Sequence, residues 1–233
     1  MKQRIGSASI LFIIFGSVAA MAQTDPTVEE ILKNIKAKFD QVKDYTADLT
    51  AEIHFENMRI PKMEAKMYFK QPDRVHFEPK GGSFAMFPKD AVGFNPTEFM
   101  TANYDAVVQG REMIGNVNCY KLKLLSKTDT VRIQRMMLYV DPQFWVVKKI
   151  ATSPQRGGDV DVHFDHQLID SKYLLPVKIT VSMDAPSPGR KQQLNSGIAG
   201  EAKKGSVVIT YQNYAVNRGI SDAVFDKKKK DDK

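Results

Sequence analysis

The sequence predicts a mainly β fold of the α+β kind: a curved antiparallel sheet with one apolar face, partly covered by an amphipathic helix. Three observations carry this. Between Tyr45 and Glu78 apolar and polar residues alternate almost without error, Tyr45, Ala47, Leu49, Ala51, Ile53 and Phe55 against Thr46, Asp48, Thr50, Glu52, His54 and Glu56. A period of two means strands with one wet and one dry face. The alternation returns from Asp159 to Met183, so the sheet is wide, and wide antiparallel sheets twist and curl. Only 27–42 places its apolar residues, Val28, Ile31, Leu32, Ile35, Phe39 and Val42, on a helical stripe.

Residues 1–22 stand apart. Lys2 and Arg4 precede an apolar run from Ile5 to Val18, and Ala20-Met21-Ala22 ends in small residues. This pattern predicts a cleavable export signal with Gln23 as the first mature residue. The run is short for a membrane span. No cysteine flanks the cleavage point, so no lipid anchor is expected. The expected organisation is a signal at 1–22, one domain at 23–225 and a charged, disordered tail at 226–233.

The helix has two competing starts. Asp25-Pro26 offers a cap with proline in the first turn, and Thr27 with Glu30 offers a capping box. Strands are expected near 45–56, 62–70, 73–79, 105–114, 117–125, 131–140, 144–152, 159–169, 173–183 and 206–217. Gly115-Asn116 and Asp141-Pro142-Gln143 mark turns between them. Pro176 predicts an edge strand or a bulge, because proline gives the ladder no donor. Two stretches are irregular. Residues 80–104 mix glycine and proline with Phe84, Met86, Phe87, Phe94 and Phe99, and a short helix is expected after Asn95-Pro96. Residues 185–205 form a long Gly/Pro-rich connection with four basic residues.

The charge of +7 is concentrated at the ends, in Lys2, Arg4 and a tail with five lysines against three aspartates. That weakens any nucleic-acid reading, and no nucleic-acid partner is expected. Cys119 is the only cysteine, so no internal disulfide can form, and it reads as a small buried hydrophobe. His54, His76, His163 and His166 lack metal or catalytic spacing, and His163 with Asp165 lies on the polar strand face. No catalytic residue, metal or cofactor is expected. Nine methionines remain after residue 22, several at alternating positions such as Met63, Met67 and Met183. Their flexibility suits a surface that accepts apolar groups of variable shape.

Several motifs resemble the LolA-type outer-membrane lipoprotein carriers. They are Tyr45-x-Ala47-Asp48-Leu49; Tyr68-Phe69-Lys70-x-Pro72-Asp73-Arg74; Gly115 followed by Cys119-Tyr120-x-Leu122-x-Leu124; and Asp141-Pro142 before Trp145-x-Val147. The ending Tyr211-Gln212-Asn213-Tyr214-x-Val216-Asn217-x-Gly219-Ile220-x-Asp222-x-x-Phe225 is similar to that family's last strand and closing loop. The motifs keep their order along most of the mature chain. The resemblance implies a half-open β-barrel, capped by helices, that holds acyl chains of lipoproteins or lipids on its concave face. It further implies a periplasmic carrier, an inner-membrane release complex, an outer-membrane acceptor and transient membrane contact. On this reading Leu49, Ile53, Met63, Met67, Phe69, Val75 and Phe77 line the ligand. Ile31, Ile35, Phe39, Phe84 and Phe87 belong to the lid. Two departures stand out. A family arginine that helps hold the lid closed falls on Gln71, and Lys89-Asp90-Ala91 replaces an Asp-Gly turn. The alternative is a non-catalytic periplasmic sensor or scaffold with a packed core and 185–205 as its docking loop.

Overall fold

The computed structural model describes residues 25–55, 58–81, 104–128, 135–152, 159–183 and 204–226, without the side chains of 58 and 59. The expected export signal, the loop with Phe84 and Phe87, the helix after Pro96, nearly all of 185–205 and the lysine tail lie outside these residues. The described residues form one α-helix, α1 (Val28–Phe39), eleven strands and a short 3-10 turn (Asp222–Val224). The strands are β1 (Asp44–Phe55), β2 (Met58–Arg59), β3 (Met63–Lys70), β4 (Arg74–Pro79), β5 (Tyr104–Ile114), β6 (Val117–Ser126), β7 (Arg135–Val140), β8 (Val147–Thr152), β9 (Val160–Ile169), β10 (Tyr173–Met183) and β11 (Gly205–Val216).

The structure decides between the two helix starts. Thr27 is the N-cap: its hydroxyl accepts from the Glu30 N–H, and the Glu30 carboxylate accepts from the Thr27 N–H at 2.8 Å. Both ends of that box satisfy donors the helix would otherwise leave open. Pro26 sits just outside. The helix stops at Phe39, three residues short of the expected end, and Val42 packs in a small separate cluster with Leu175 and Val216.

All strand pairs are antiparallel, in the order β4-β3-β1-β11-β10-β9-β8-β7-β6-β5, with β2 paired to β1. The chain thus runs outward from β1 to one edge, crosses to the other edge, and returns strand by strand until β11 closes on β1. One apolar cluster joins Met67 and Phe69 of β3 to Leu122 and Leu124 of β6, strands far apart in this order. Contact across that distance requires the sheet to curl around its own core. It does not close into a barrel: among the described residues β4 and β5 remain its two edges.

Pro176 lies in an interior strand rather than at an edge, and the ladder accommodates it by a register shift against β9 between Pro176 and Lys178. β8 begins at Val147, not 144. The buried Asp141 carboxylate accepts from the Gln143 and Phe144 N–H groups, and Trp145 takes a left-handed φ of 57°. This turn consumes the three residues that the alternation alone would assign to the strand.

α1 lies across the concave side with Ile31 and Ile35 buried in the core. Its two ends reach toward opposite edges. Arg111 of β5 pairs with Asp25 at 2.7 Å, and Gln71, between β3 and β4, donates to the Phe39 carbonyl at 2.9 Å.

At the far end of β1, Gly205 faces Phe55 across the ladder, and a Cβ there would sit 2.1 Å from Phe55 Cδ1. Gly205→Ala should therefore lower stability by about 1–3 kcal/mol in urea denaturation. In a Phe55→Ala background that cost should largely vanish.

Candidate functional site

The concave face is not filled to its end. A cavity of about 310 Å³ lies where the C-terminal half of α1 meets β3 and β8–β10. Its walls include Ile35, Phe39, Tyr45, Phe69, Trp145 and Phe164. That volume stands at the lower end of ligand pockets, about 300–1,000 Å³. The apolar walls are held by ring packing. Tyr45 stacks on Phe69 at 5.0 Å, Phe39 meets Phe69 edge-on at 5.9 Å, and Trp145 stacks on Tyr120 at 5.8 Å. Tyr211 is buried and Tyr45 partly buried, and loss of solvent pushes both hydroxyls far above the ordinary tyrosine range, so both stay neutral.

The mouth is amphipathic. Phe144 and Leu168 are 45% and 54% exposed although both line the cavity. Lys38 and Lys172 are exposed beside them, and the Lys172 ammonium stands 5.0 Å over the Tyr173 ring. His166 forms part of the wall. Burial first, and Lys148 second, push its imidazole down to about 4. Its Nδ1 is enclosed without a hydrogen-bond partner of good geometry.

Asn217 fastens the rim. Its backbone is left-handed, at φ 54°, a conformation asparagine tolerates better than most residues. Its Oδ1 accepts from the Lys43 and Asp44 N–H groups, at 2.6 and 3.3 Å. Its Nδ2 donates to the Gln41 carbonyl and the Tyr173 hydroxyl, at 2.9 and 3.0 Å. Gln41 and Tyr173 line the cavity, so one side chain ties the α1–β1 link to β10 and β11.

The sequence-predicted lining divides. Phe69 lies in the cavity wall, as do Ile35 and Phe39 of the expected lid. Leu49, Ile53, Met63, Met67 and Ile31 are buried in the packed core, away from the cavity. Val75 and Phe77, on edge strand β4, are half-buried against that core. Gln71, at the turn between β3 and β4, bonds the helix through the Phe39 carbonyl. Sequence reasoning missed Trp145, Phe164, His166, Leu168, Leu175 and Ile179 as lining residues. The alternation in 159–183 marks most of them as apolar-face positions. Nothing local says that this end of the face is the unfilled one. Among the described residues no cluster of three or more His, Cys, Asp or Glu side chains could hold a metal ion, and no helix is long and apolar enough to cross a membrane. Cys119 is fully buried, and burial pushes its thiol up to about 11.

No protein-family model and no curated protein matches the sequence. Solved structures do share the fold. A putative outer membrane lipoprotein-sorting protein domain from Vibrio parahaemolyticus superposes with a TM-score of 0.59 at 10% identity, over 86% of this chain and 97% of that one. A LolA superfamily protein from Nitrosomonas europaea superposes with a TM-score of 0.54 at 13% identity, over 88% and 99%. The fold is LolA-like. A DUF1329 family protein from Desulfovibrio piger shares it too, with a TM-score of 0.58 at 16% identity over 88% and 99%. The curved, unclosed sheet and the single described helix match the expected architecture.

Two predictions test the site. The His166 imidazole has a lower pKa folded than unfolded, so the unfolded chain binds more protons between about 4 and 6.5. Stability should fall as pH drops through that window, by up to about 1.4 kcal/mol per unit from this group, with no further loss below it. Thermal melts at pH 7.5 and 4.5 should differ less for His166→Leu than for the unaltered chain. Asn217→Ala removes four side-chain hydrogen bonds and leaves a left-handed backbone on alanine. It should cost about 2–4 kcal/mol in urea denaturation, and Asn217→Gly, which relieves the backbone, should cost less.

Proposed function

We propose that this protein is a periplasmic carrier that takes acyl chains of lipoproteins or lipids into the concave side of its sheet and moves them toward the outer membrane. The observation that carries this is the apolar cavity beneath α1, opening through a mouth that exposes Phe144 and Leu168. The LolA-like fold supports it. On this reading residues 1–22 export the chain and are removed, 23–225 form one binding domain, and 226–233 are a charged tail. Leu49, Ile53, Met63, Met67, Val75 and Phe77 join Phe69 in contacting cargo only when α1 lifts. Ile31, Ile35 and Phe39, with Phe84 and Phe87, form the cover.

The chemistry is transfer, without bond making. Each buried methylene contributes about 0.8 kcal/mol, so a single chain supplies enough driving force for binding. Release needs a better apolar sink, such as an outer-membrane acceptor, and loading needs an inner-membrane release complex. The sensor or scaffold alternative draws on a different observation. Most of the concave face, from Leu49 to Leu138, is already packed by the protein's own side chains.

Native mass spectrometry with solvent extraction, on the chain expressed with its own N-terminus and purified without detergent from the cell envelope, separates the two. The expected result is an intact mass lacking residues 1–22 and a co-purifying acylated molecule. A ligand-free mass that stays ligand-free after incubation with acylated lipoprotein would favour the scaffold.

A further inference from the structure

The cavity's polar groups are lopsided. Of the residues that line it, the charged ones are Lys38 and Lys172, and none is acidic. Of the nearby acidic side chains, Asp40 pairs with Lys36, Asp165 with Lys178, and the Asp141 carboxylate accepts from backbone N–H groups of its own turn; the exposed Asp170 acts on Tyr173 from outside the cavity lining. Neither Lys38 nor Lys172 has a carboxylate partner among the described residues. Both line the cavity and are exposed to solvent, and Lys172 is steadied by the face of Tyr173.

A neutral acyl ester would make no use of two such cations. A molecule with one long apolar chain and one anionic end would use both features at once. The volume also speaks for one chain, since it lies at the floor of the range for ligand pockets.

We infer that the cavity is built for a single-chain anionic amphiphile, its acyl chain between Phe69, Phe164 and Ile179 and its carboxylate or phosphate head at Lys38 and Lys172. This rests on the acyl-carrier reading and narrows its cargo to anionic lipid. Lysine ammonium groups bond such heads by charge-assisted hydrogen bonds, strongest where the surroundings are partly desolvated. His166 does not compete for the role. Burial first, then the charge of Lys148, hold it neutral above a pH of about 4 against the opposing pull of Asp165 and Asp141.

The chain carries its own reporter. Trp145 is the only tryptophan and lines the cavity. Dibromostearate, whose bromines quench indole on contact, can be titrated into the full chain at pH 8 against its methyl ester, which has the same chain and no charge. The expected result is saturable quenching by the acid, with the ester weaker by about tenfold, the effect of one charge-assisted contact. In Lys38→Gln/Lys172→Gln, a surface variant outside the packed core, acid and ester should bind alike. Equal quenching by acid and ester in the unaltered chain would overturn the headgroup assignment and leave the acyl cavity standing. Absence of quenching by either would overturn the acyl-carrier reading itself. Excess inorganic phosphate should leave the quenching by acid unchanged, and displacement by phosphate alone would replace the amphiphile with a free-anion site.

Discussion

A sheet of this width that curls without closing leaves an apolar concave face with nothing of its own to lie on it. That constraint organises the rest of the molecule. Ten strands follow one another in a single ladder with β4 and β5 at its edges. The interior must be filled by side chains, a helix, or something brought from outside. α1 is twelve residues long, about 18 Å, and spans only part of such a face. Where it ends, the cavity begins, and the lining starts with its last turn, Ile35, Lys38 and Phe39.

How firmly that helix is held sets how readily the face can open. Its hydrophobic anchors are Ile31 and Ile35, each worth about 1.5–3 kcal/mol when fully buried. Its polar ties are few: Arg111 donates through Nε and Nη2 to one Asp25 oxygen, a near-surface ion pair worth under about 1 kcal/mol, and Gln71 donates to the Phe39 carbonyl, a hydrogen bond worth about 0.5–1.5 kcal/mol. The helix therefore stays mainly because of what its inner face covers. An incoming apolar chain competes for that same surface.

The C-terminal segment braces the opposite side. Asp222 accepts from Lys70 at 2.7 Å and from Arg74 at 2.6 Å, and these two cations, Lys70 the more, hold its carboxyl below the usual range. Arg74 also lies 4.6 Å from the Phe225 ring, and Lys70 reaches the Ile220 carbonyl. With Asn217 beneath the rim, the end of the chain fixes the corner where β1, β3, β10 and β11 converge on the cavity. The motif from Tyr211 to Phe225 thus has a physical task, to close the domain on itself.

Much of the architecture was written in the sequence, because hydrophobic periodicity is local. The alternation over 45–78 and 159–183 placed strands that the structure contains, and the helical stripe placed α1. The cavity was less legible. Leu49, Met67 and Phe69 share one period and one face, and no sequence signal separates a core position from a lining position. The separation depends on where α1 ends, on the turn that Asp141 holds before Trp145, and on the bulge at Pro176. Lys38 and Lys172, remote in sequence, line one cavity only because the sheet curls. The sequence by itself determined which residues fall on the apolar face of each strand. The tertiary structure decided which dry residues have no neighbour to fill the space before them, because packing is a property of the whole curved surface and not of any strand within it.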